Sequence, residues 1–438
     1  MLCSSFSVSR LAIPAVCTLI AFLAYTSQIF FLYFEDAPLK EDEVWRINIL
    51  AICIWICYYR ACTVDPGHVP KGWMPSDRKR LEADRASGRQ RWCRRCEAYK
   101  PPRAHHCKTC GRCIPKMDHH CPWTSNCVSH FTFPHFVRFL FYAVVGIAYL
   151  ETRLWERVSK VWGSRHLPSY LGPSMGQIGH LFVLFITNSL TLFALSLLLL
   201  RTLWSLGSNT TTIESWEIER HETLLRRARR LGGSLPGPGD ISVHITKQEF
   251  PYDIGIWSNI KAGMGGSANV LSWFWPLART PDLSTGLEFE ENGFEDPTVS
   301  WPPPDPDRIP LPPRDQRDSF MYDITDTSGT SGTSGQIDVE AFNRRKEADL
   351  RRRRAPAEIE RRKPFHVRLE EYSNGSSDAE ADTGSDDYSD HGEEGWKNSE
   401  GERLRDFGVD EEAEFYDEED IPLALLIQQR AKRQHLSQ

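Results

Sequence analysis

Four long apolar stretches, a 35-residue window holding seven cysteines and four histidines, and an end rich in Pro, Gly and charge together predict one fold class. It is an α-helical polytopic membrane protein: four transmembrane helices, a cytosolic zinc-binding Cys-rich domain and a disordered C-terminal tail. The 438 residues carry 52 Lys+Arg against 59 Asp+Glu, a formal net charge of −7. That balance argues against a globally basic nucleic-acid binder, so no nucleic-acid partner is expected.

Residues 11–34 (LAIPAVCTLIAFLAYTSQIFFLYF) bear no formal charge over more than the roughly 20 residues a bilayer requires, which makes them transmembrane helix 1. The run is too long for the h-region of about 7–15 residues in a signal peptide. Residues 44–60 form a shorter second span, edged by Trp45 and by Tyr58-Tyr59-Arg60 as interfacial anchors. Residues 136–155 and 177–206 are the third and fourth. Asn188 and Ser189 lie within the fourth, and polar groups in such a setting are expected to face other helices. Cys3, Cys17, Cys53, Cys57 and Cys62 lie in or near apolar stretches and are read as small buried hydrophobes.

Orientation follows from the basic residues. Residues 62–134 contain fourteen Lys/Arg, whereas residues 35–43 contain only Lys40 among five acids. Between the third and fourth spans lie only Arg157, Lys160 and Arg165. The positive-inside rule therefore predicts that both termini and the Cys-rich segment are cytosolic, in a reducing compartment that suits metal-bound thiolates.

The Cys-rich domain, residues 91–141, contains a repeat that assigns its ligands. Cys93-x2-Cys96-x9-His106-x6-Cys113 recurs fourteen residues later as Cys107-x2-Cys110-x9-His120-x6-Cys127. Each copy offers three thiolates and one imidazole, so two interleaved tetrahedral Zn²⁺ sites are expected, both structural. A further shift of fourteen carries Cys107 to Cys121 but Cys110 to Thr124. Cys121 is thus left without a metal partner. Asp118 and His119 stand immediately before it, and a thiol, an imidazole and a carboxylate within four residues are the parts of an activated nucleophile. The imidazole takes the thiol proton and the carboxylate fixes its tautomer. The third span begins about fifteen residues after Cys121, which puts the thiol near the membrane surface and makes Trp123 an interfacial or acyl-contacting ring.

The run Asp118-His119-His120-Cys121-Pro122-Trp123 resembles the Asp-His-His-Cys (DHHC) family of membrane protein S-acyltransferases, the palmitoyltransferases. The likeness extends to Asp65-Pro66-Gly67, Lys100-Pro101-Pro102-Arg103, Thr211-Thr212-Ile213-Glu214 and Pro251-Tyr252-Asp253-Ile254-Gly255 followed by Asn259. It covers roughly residues 10–265. The resemblance implies a four-helix bundle capped by the zinc domain, an acyl chain lodged between helices, and palmitoyl-CoA as acyl donor. It also implies Cys121 as acyl carrier, His119 as base and Asp118 as its orienter. Residues 207–265 become a cytosolic juxtamembrane segment in which Thr212 and Asn259 tie cytosolic segments to the helices. The implied partners are the bilayer and membrane-associated client proteins with cytosolic cysteines. The sequence departs from the family pattern at Ser129 and Thr132, where Gly and Asn are common. That variant resembles the fungal branch associated with the endoplasmic reticulum membrane and with chitin synthase as a client.

Residues 280–438 complete the chain as a disordered charged tail, with PPPDPDRIPLPP at 302–313, four consecutive arginines at 351–354 and an acidic run from Glu370 to Asp420. Two rival readings are weaker. A membrane-tethered zinc module without chemistry leaves Cys121, His119 and Asp118 unexplained, and a solute channel would need more ionisable groups in its spans.

Overall fold

The computed structural model describes residues 11–32, 38–70, 72–73, 92–166, 172–236, 242–293, 301 and 395–414. Four helices in it are long and apolar enough to cross a membrane: Ala12–Leu32, Glu41–Thr63, Phe133–Gly163 and Met175–Ser208. The first contains a π-helical stretch, Phe22–Thr26. The second starts three residues earlier than the apolar run suggests. Its acidic first turn, Glu41, Asp42 and Glu43, suits the positive end of the helix dipole, and Glu43 Oε2 accepts the Lys40 N–H at 3.1 Å. The third and fourth likewise outrun their apolar cores, because polar side chains at their ends remain helical in water.

Leu23, Phe30 and Phe31 of the first span pack with Ile147, Leu150 and Leu154 of the third and Leu181 and Leu184 of the fourth. Asn188 faces this interior as expected: its Nδ2 donates to Ile147 O at 3.1 Å and to Glu151 Oε2 at 2.6 Å, while Ser189 Oγ donates to Glu151 Oε1 at 2.7 Å. Leu190, Phe193, Leu197, Leu200 and Trp204 remain exposed, a lipid-facing stripe on the fourth span.

Between the second and third spans lie three short antiparallel hairpins: β1 (Trp92–Cys93) with β2 (Ala98–Tyr99), β3 (His105–Cys107) with β4 (Arg112–Ile114), and β5 (His119–Cys121) with β6 (Asn126–Val128). After the fourth span come the helix Thr212–Arg230, the hairpin β7 (Ser234–Pro236) with β8 (Ser242–His244), and the helices Ile256–Gly263 and Val270–Phe274.

Parts of residues 280–438 are described in the structure. Residues 280–293 and Trp301 pack against the Cys-rich segment and the helix Thr212–Arg230, with Trp301 Nε1 donating to Glu217 Oε2 at 3.1 Å and Thr285 Oγ1 2.9 Å from His130 Nε2. Residues 395–414 form an ordered strap across the Cys-rich domain, with Leu404, Phe407, Val409 and Ala413 buried. The composition of the acidic run hid these apolar residues. They are spaced so that each finds a pocket, while neighbouring acids meet cations, as Glu400 does Arg201 at 3.0 Å. The arginine run at 351–354 and the apolar stretch 421–430 lie outside the described residues.

Candidate active site

The fourteen-residue repeat is a repeat of hairpins. Cys93 pairs with Ala98, Cys107 with Arg112 and Cys121 with Asn126, so the three cysteines hold one register position in three successive copies. The turns agree: Glu97 (φ 50), Gly111 (φ 65) and Ser125 (φ 50) are left-handed at the same fourteen-residue spacing. In the first two copies the turn N–H groups of Cys96 and Cys110 point at the preceding cysteine sulfur, Cys110 N lying 3.3 Å from Cys107 Sγ. In the third copy the Thr124 N–H takes that role toward Cys121. The turn that serves a clustered thiol in the first two copies is therefore kept around Cys121, which belongs to neither Cys/His cluster.

The sequence-assigned ligands converge. Cys93, Cys96, His106 and Cys113 form one cluster and Cys107, Cys110, His120 and Cys127 the other, each with its donor atoms within 4.8 Å of one another. His106 Nδ1 lies 3.3 Å from the sulfurs of Cys93 and Cys96 and 3.7 Å from that of Cys113. His120 Nδ1 lies 3.6, 3.6 and 3.5 Å from those of Cys107, Cys110 and Cys127. Donors about 2.3 Å (sulfur) and about 2.0–2.1 Å (nitrogen) from a tetrahedral zinc stand about 3.5–3.8 Å apart, so both clusters fit the ion. Four protein donors at each leave no open position, the mark of a structural site.

Strand alternation decides what His119, His120 and Cys121 do. Successive side chains point to opposite faces, so His120 turns to the metal cluster while His119 and Cys121 share the other face. Cys121 packs there with Val128, Phe136 and Leu140, against the partly buried Leu195 and Leu199 of the fourth span. His119 Nδ1 lies 2.6 Å from Asp118 Oδ2, which fixes the proton on Nδ1 and leaves Nε2 for the thiol. Burial alone would lower His119, yet hydrogen bonds to Asp118 and Cys121 lift it to about 10. Burial likewise would raise Cys121, but the His119 imidazole and the Thr124 turn bring it below the usual thiol range. The arrangement favours a thiolate–imidazolium pair.

Asp118 is itself held. Thr212 donates its backbone N–H to Asp118 Oδ1 at 2.9 Å and its hydroxyl to the Asp118 carbonyl. Asn259, fully buried, donates to Gly207 O and Asp253 Oδ1, both at 2.7 Å, and so ties the segment after the fourth span back to its end. Trp123 presents an indole that is 60% exposed, and its carbonyl accepts the Tyr58 hydroxyl of the second span at 2.8 Å.

Comparison with known proteins agrees with this geometry. The family model described as DHHC palmitoyltransferase matches residues 86–219. Over 438 residues, all of both chains, the protein is 96% identical to "Palmitoyltransferase pfa4" of Emericella nidulans. It is 67% identical to the protein of the same name from Aspergillus fumigatus over 435 residues, 99% of this chain and 100% of the relative. A Gibberella zeae relative, "Palmitoyltransferase PFA4", is 42% identical over 414 residues, 93% of this chain and 90% of its own.

The chain belongs to the DHHC palmitoyltransferase family. It is thus a multi-pass membrane protein S-acyltransferase.

Three features of this palmitoyltransferase escape sequence reasoning. Arg103 forms a bidentate pair with Glu214, Nε to Oε1 at 2.6 Å and Nη2 to Oε2 at 2.7 Å, and lies over the Tyr252 ring at 4.5 Å. One guanidinium thereby joins three stretches that the sequence presents as separate motifs. Asn126 donates from Nδ2 to Ala61 O and Val64 O at 3.0 and 2.8 Å, fixing the third hairpin to the end of the second span. The departures at Ser129 and Thr132 are absorbed structurally: Ser129 Oγ donates to Pro66 O at 2.8 Å and Thr132 Oγ1 to Cys127 O at 2.7 Å. Pairing of hydroxyls to nearby carbonyls is not visible in a one-dimensional pattern.

Proposed function

We propose that this palmitoyltransferase carries a long acyl chain from palmitoyl-CoA to client cysteines through an acyl-enzyme on Cys121, in ping-pong order. The observation that carries the reading is the third hairpin, whose Cys121 thiol belongs to neither Cys/His cluster, is backed by His119 and Asp118 and faces the apolar ends of the third and fourth spans. His119 accepts the thiol proton at Nε2 while Asp118 holds Nδ1–H and stabilises the imidazolium. The Cys121 thiolate attacks the thioester carbonyl, the carbon–sulfur bond to CoA breaks, and His119 returns the proton to the departing CoA thiolate. A client thiol then gives its proton to His119 and attacks the Cys121 thioester, and His119 reprotonates the released Cys121. Thioester is exchanged for thioester in both halves, so positioning and thiolate formation supply the needed catalysis.

The eight Cys/His ligands would hold two Zn²⁺ ions that fix the hairpins. Trp123 would contact the acyl chain or the interface. The basic residues between the second and third spans support a cytosolic Cys-rich domain with both termini on the same side. The likeness to the fungal branch supports an endoplasmic reticulum membrane, with membrane-associated clients that include chitin synthase.

The test is hydroxylamine-sensitive incorporation of a clickable palmitoyl-CoA analogue into the purified protein. Labelling should vanish in Cys121→Ser and weaken in His119→Ala, with two zinc ions retained in both. Equal labelling of all three proteins would remove Cys121 from the role of carrier.

A further inference from the structure

Residues 404–413 lie on the metal domain, a 3-10 turn at Leu404–Phe407 leading into a single antiparallel bridge at Val409. Val409 pairs antiparallel with Cys107, the Lys108 N–H donates to Gly408 O at 3.0 Å and the Asp410 N–H to His106 O at 2.9 Å. The strap thereby covers the edge of β3, which supplies ligands to both metal clusters: His106 to the first and Cys107 to the second. Its side chains continue the contact. Leu404, Phe407 and Val409 are buried with Cys107 and Cys127, and Ala413 with Cys93 and Cys113. Gly408, at φ +83, sits so close that a Cβ would stand 2.6 Å from the His120 Cβ, an approach only glycine permits.

Asp410 is the polar member of the strap and is 2% exposed. Its Oδ2 lies 4.0 Å from His106 Nε2 and 2.7 Å from Arg95 Nε. His106 meets Cys93 and Cys96 through Nδ1, so the carboxylate faces the ring nitrogen that the metal cluster leaves free. At 4.0 Å it acts by its charge rather than by a direct hydrogen bond. A carboxylate behind a ligating imidazole orients the ring and strengthens it as a donor.

We propose that the strap is a structural wall of the metal domain and that Asp410 is a positioning residue for the His106 ligand. Loss of its carboxylate then loosens the metal held by Cys93, Cys96, His106 and Cys113 and spares the one held by Cys107, Cys110, His120 and Cys127. This rests on the reading that both clusters carry zinc.

The experiment measures zinc content and then zinc release from the purified full-length protein in detergent, using an excess of a chromogenic chelator. Wild type should hold two zinc ions, and Cys93→Ser identifies the kinetic phase of the first site by its absence. Asp410→Asn, which is isosteric and keeps the strap's backbone bonds, should speed release from the first site by about 10- to 100-fold and leave the second phase unchanged. Asp410→Glu keeps the carboxylate and should release close to the wild-type rate, whereas a purely packing role would make the larger Glu worse than Asn. Gly408→Val, aimed at the His120 Cβ, should speed the second phase. Wild-type release from both sites in Asp410→Asn, or Glu behaving worse than Asn, overturns the proposal. A wild-type protein without zinc would overturn the reading of the clusters instead.

Discussion

Thr212 holds Asp118 twice, by its backbone N–H to Oδ1 at 2.9 Å and by its hydroxyl to the main-chain carbonyl. Thr212 opens the helix Thr212–Arg230, so the carboxylate also sits at the positive end of a helix dipole. The residue that orients His119 is therefore itself oriented from the far side of the fourth span. Thr212→Val removes the hydroxyl and keeps the N–H. A lost hydrogen bond of about 0.5–1.5 kcal/mol should lower the initial rate of Cys121 labelling roughly 2- to 10-fold, with zinc content unchanged. Thr212→Ser should restore most of the rate, and a Val variant as fast as wild type would separate Thr212 from the triad.

Arg103 and Glu214 predict a stability effect of another size. Their side chains are 1% and 2% exposed and 2.6 Å apart, so Glu214→Ala leaves a buried guanidinium among Asn209, aromatic rings and the Lys116 ammonium, with its paired carboxylate gone. Breaking such a pair costs about 3–5 kcal/mol. The unfolding midpoint of the detergent-solubilised protein should fall steeply in Glu214→Ala and less in Glu214→Gln, which still accepts a hydrogen bond. Equal midpoints in Glu214→Ala and wild type would mean that water reaches Arg103.

The four spans, the two Cys/His clusters and the place of Cys121 outside both are legible as spacing, because hydropathy and a fourteen-residue period survive in one dimension. The pairing partners were not. Asn126 reaches the end of the second span and Arg103 reaches Glu214 across 111 positions, and neither leaves a periodic trace. The strap leaves the faintest trace in the sequence: Trp396, Leu404, Phe407 and Val409 stand among acids that dominate the local composition. Their positions mattered more than their number, since Trp396 meets Trp216 edge-on at 4.8 Å and Val409 meets a strand edge.

The repeat makes a stoichiometric prediction that is independent of acyl transfer. Elemental analysis of the purified protein should find two zinc ions per chain. Cys121→Ser should keep both, because Thr124 stands where a metal site would need a second thiolate. Cys93→Ser and Cys127→Ser should each lose one. Chelation of both ions should remove protection of the three hairpins from proteolysis while the four spans stay helical. Loss of zinc from Cys121→Ser would place that thiol in a metal site.

The pH dependence follows from opposite shifts in two neighbours. His119 is lifted to about 10, above its unfolded value of about 6.5. Its contribution to stability is thus full below about pH 6.5 and is lost as pH rises through about 10. Cys121 is brought down, so its contribution is present above the unfolded thiol value of about 8.5 and is lost as pH falls through its lowered value. Both shifts favour the thiolate–imidazolium form of the pair. Alkylation of Cys121 by iodoacetamide, followed on its own peptide by mass spectrometry, should therefore have its midpoint below that of an ordinary thiol. Asp118→Asn removes the carboxylate that sustains the imidazolium, so the Cys121 midpoint should move up and alkylation at pH 7 should slow. An unchanged midpoint in Asp118→Asn would show that His119 and the Thr124 turn hold the thiolate without the Asp118 charge, and that Asp118 acts on geometry rather than on charge.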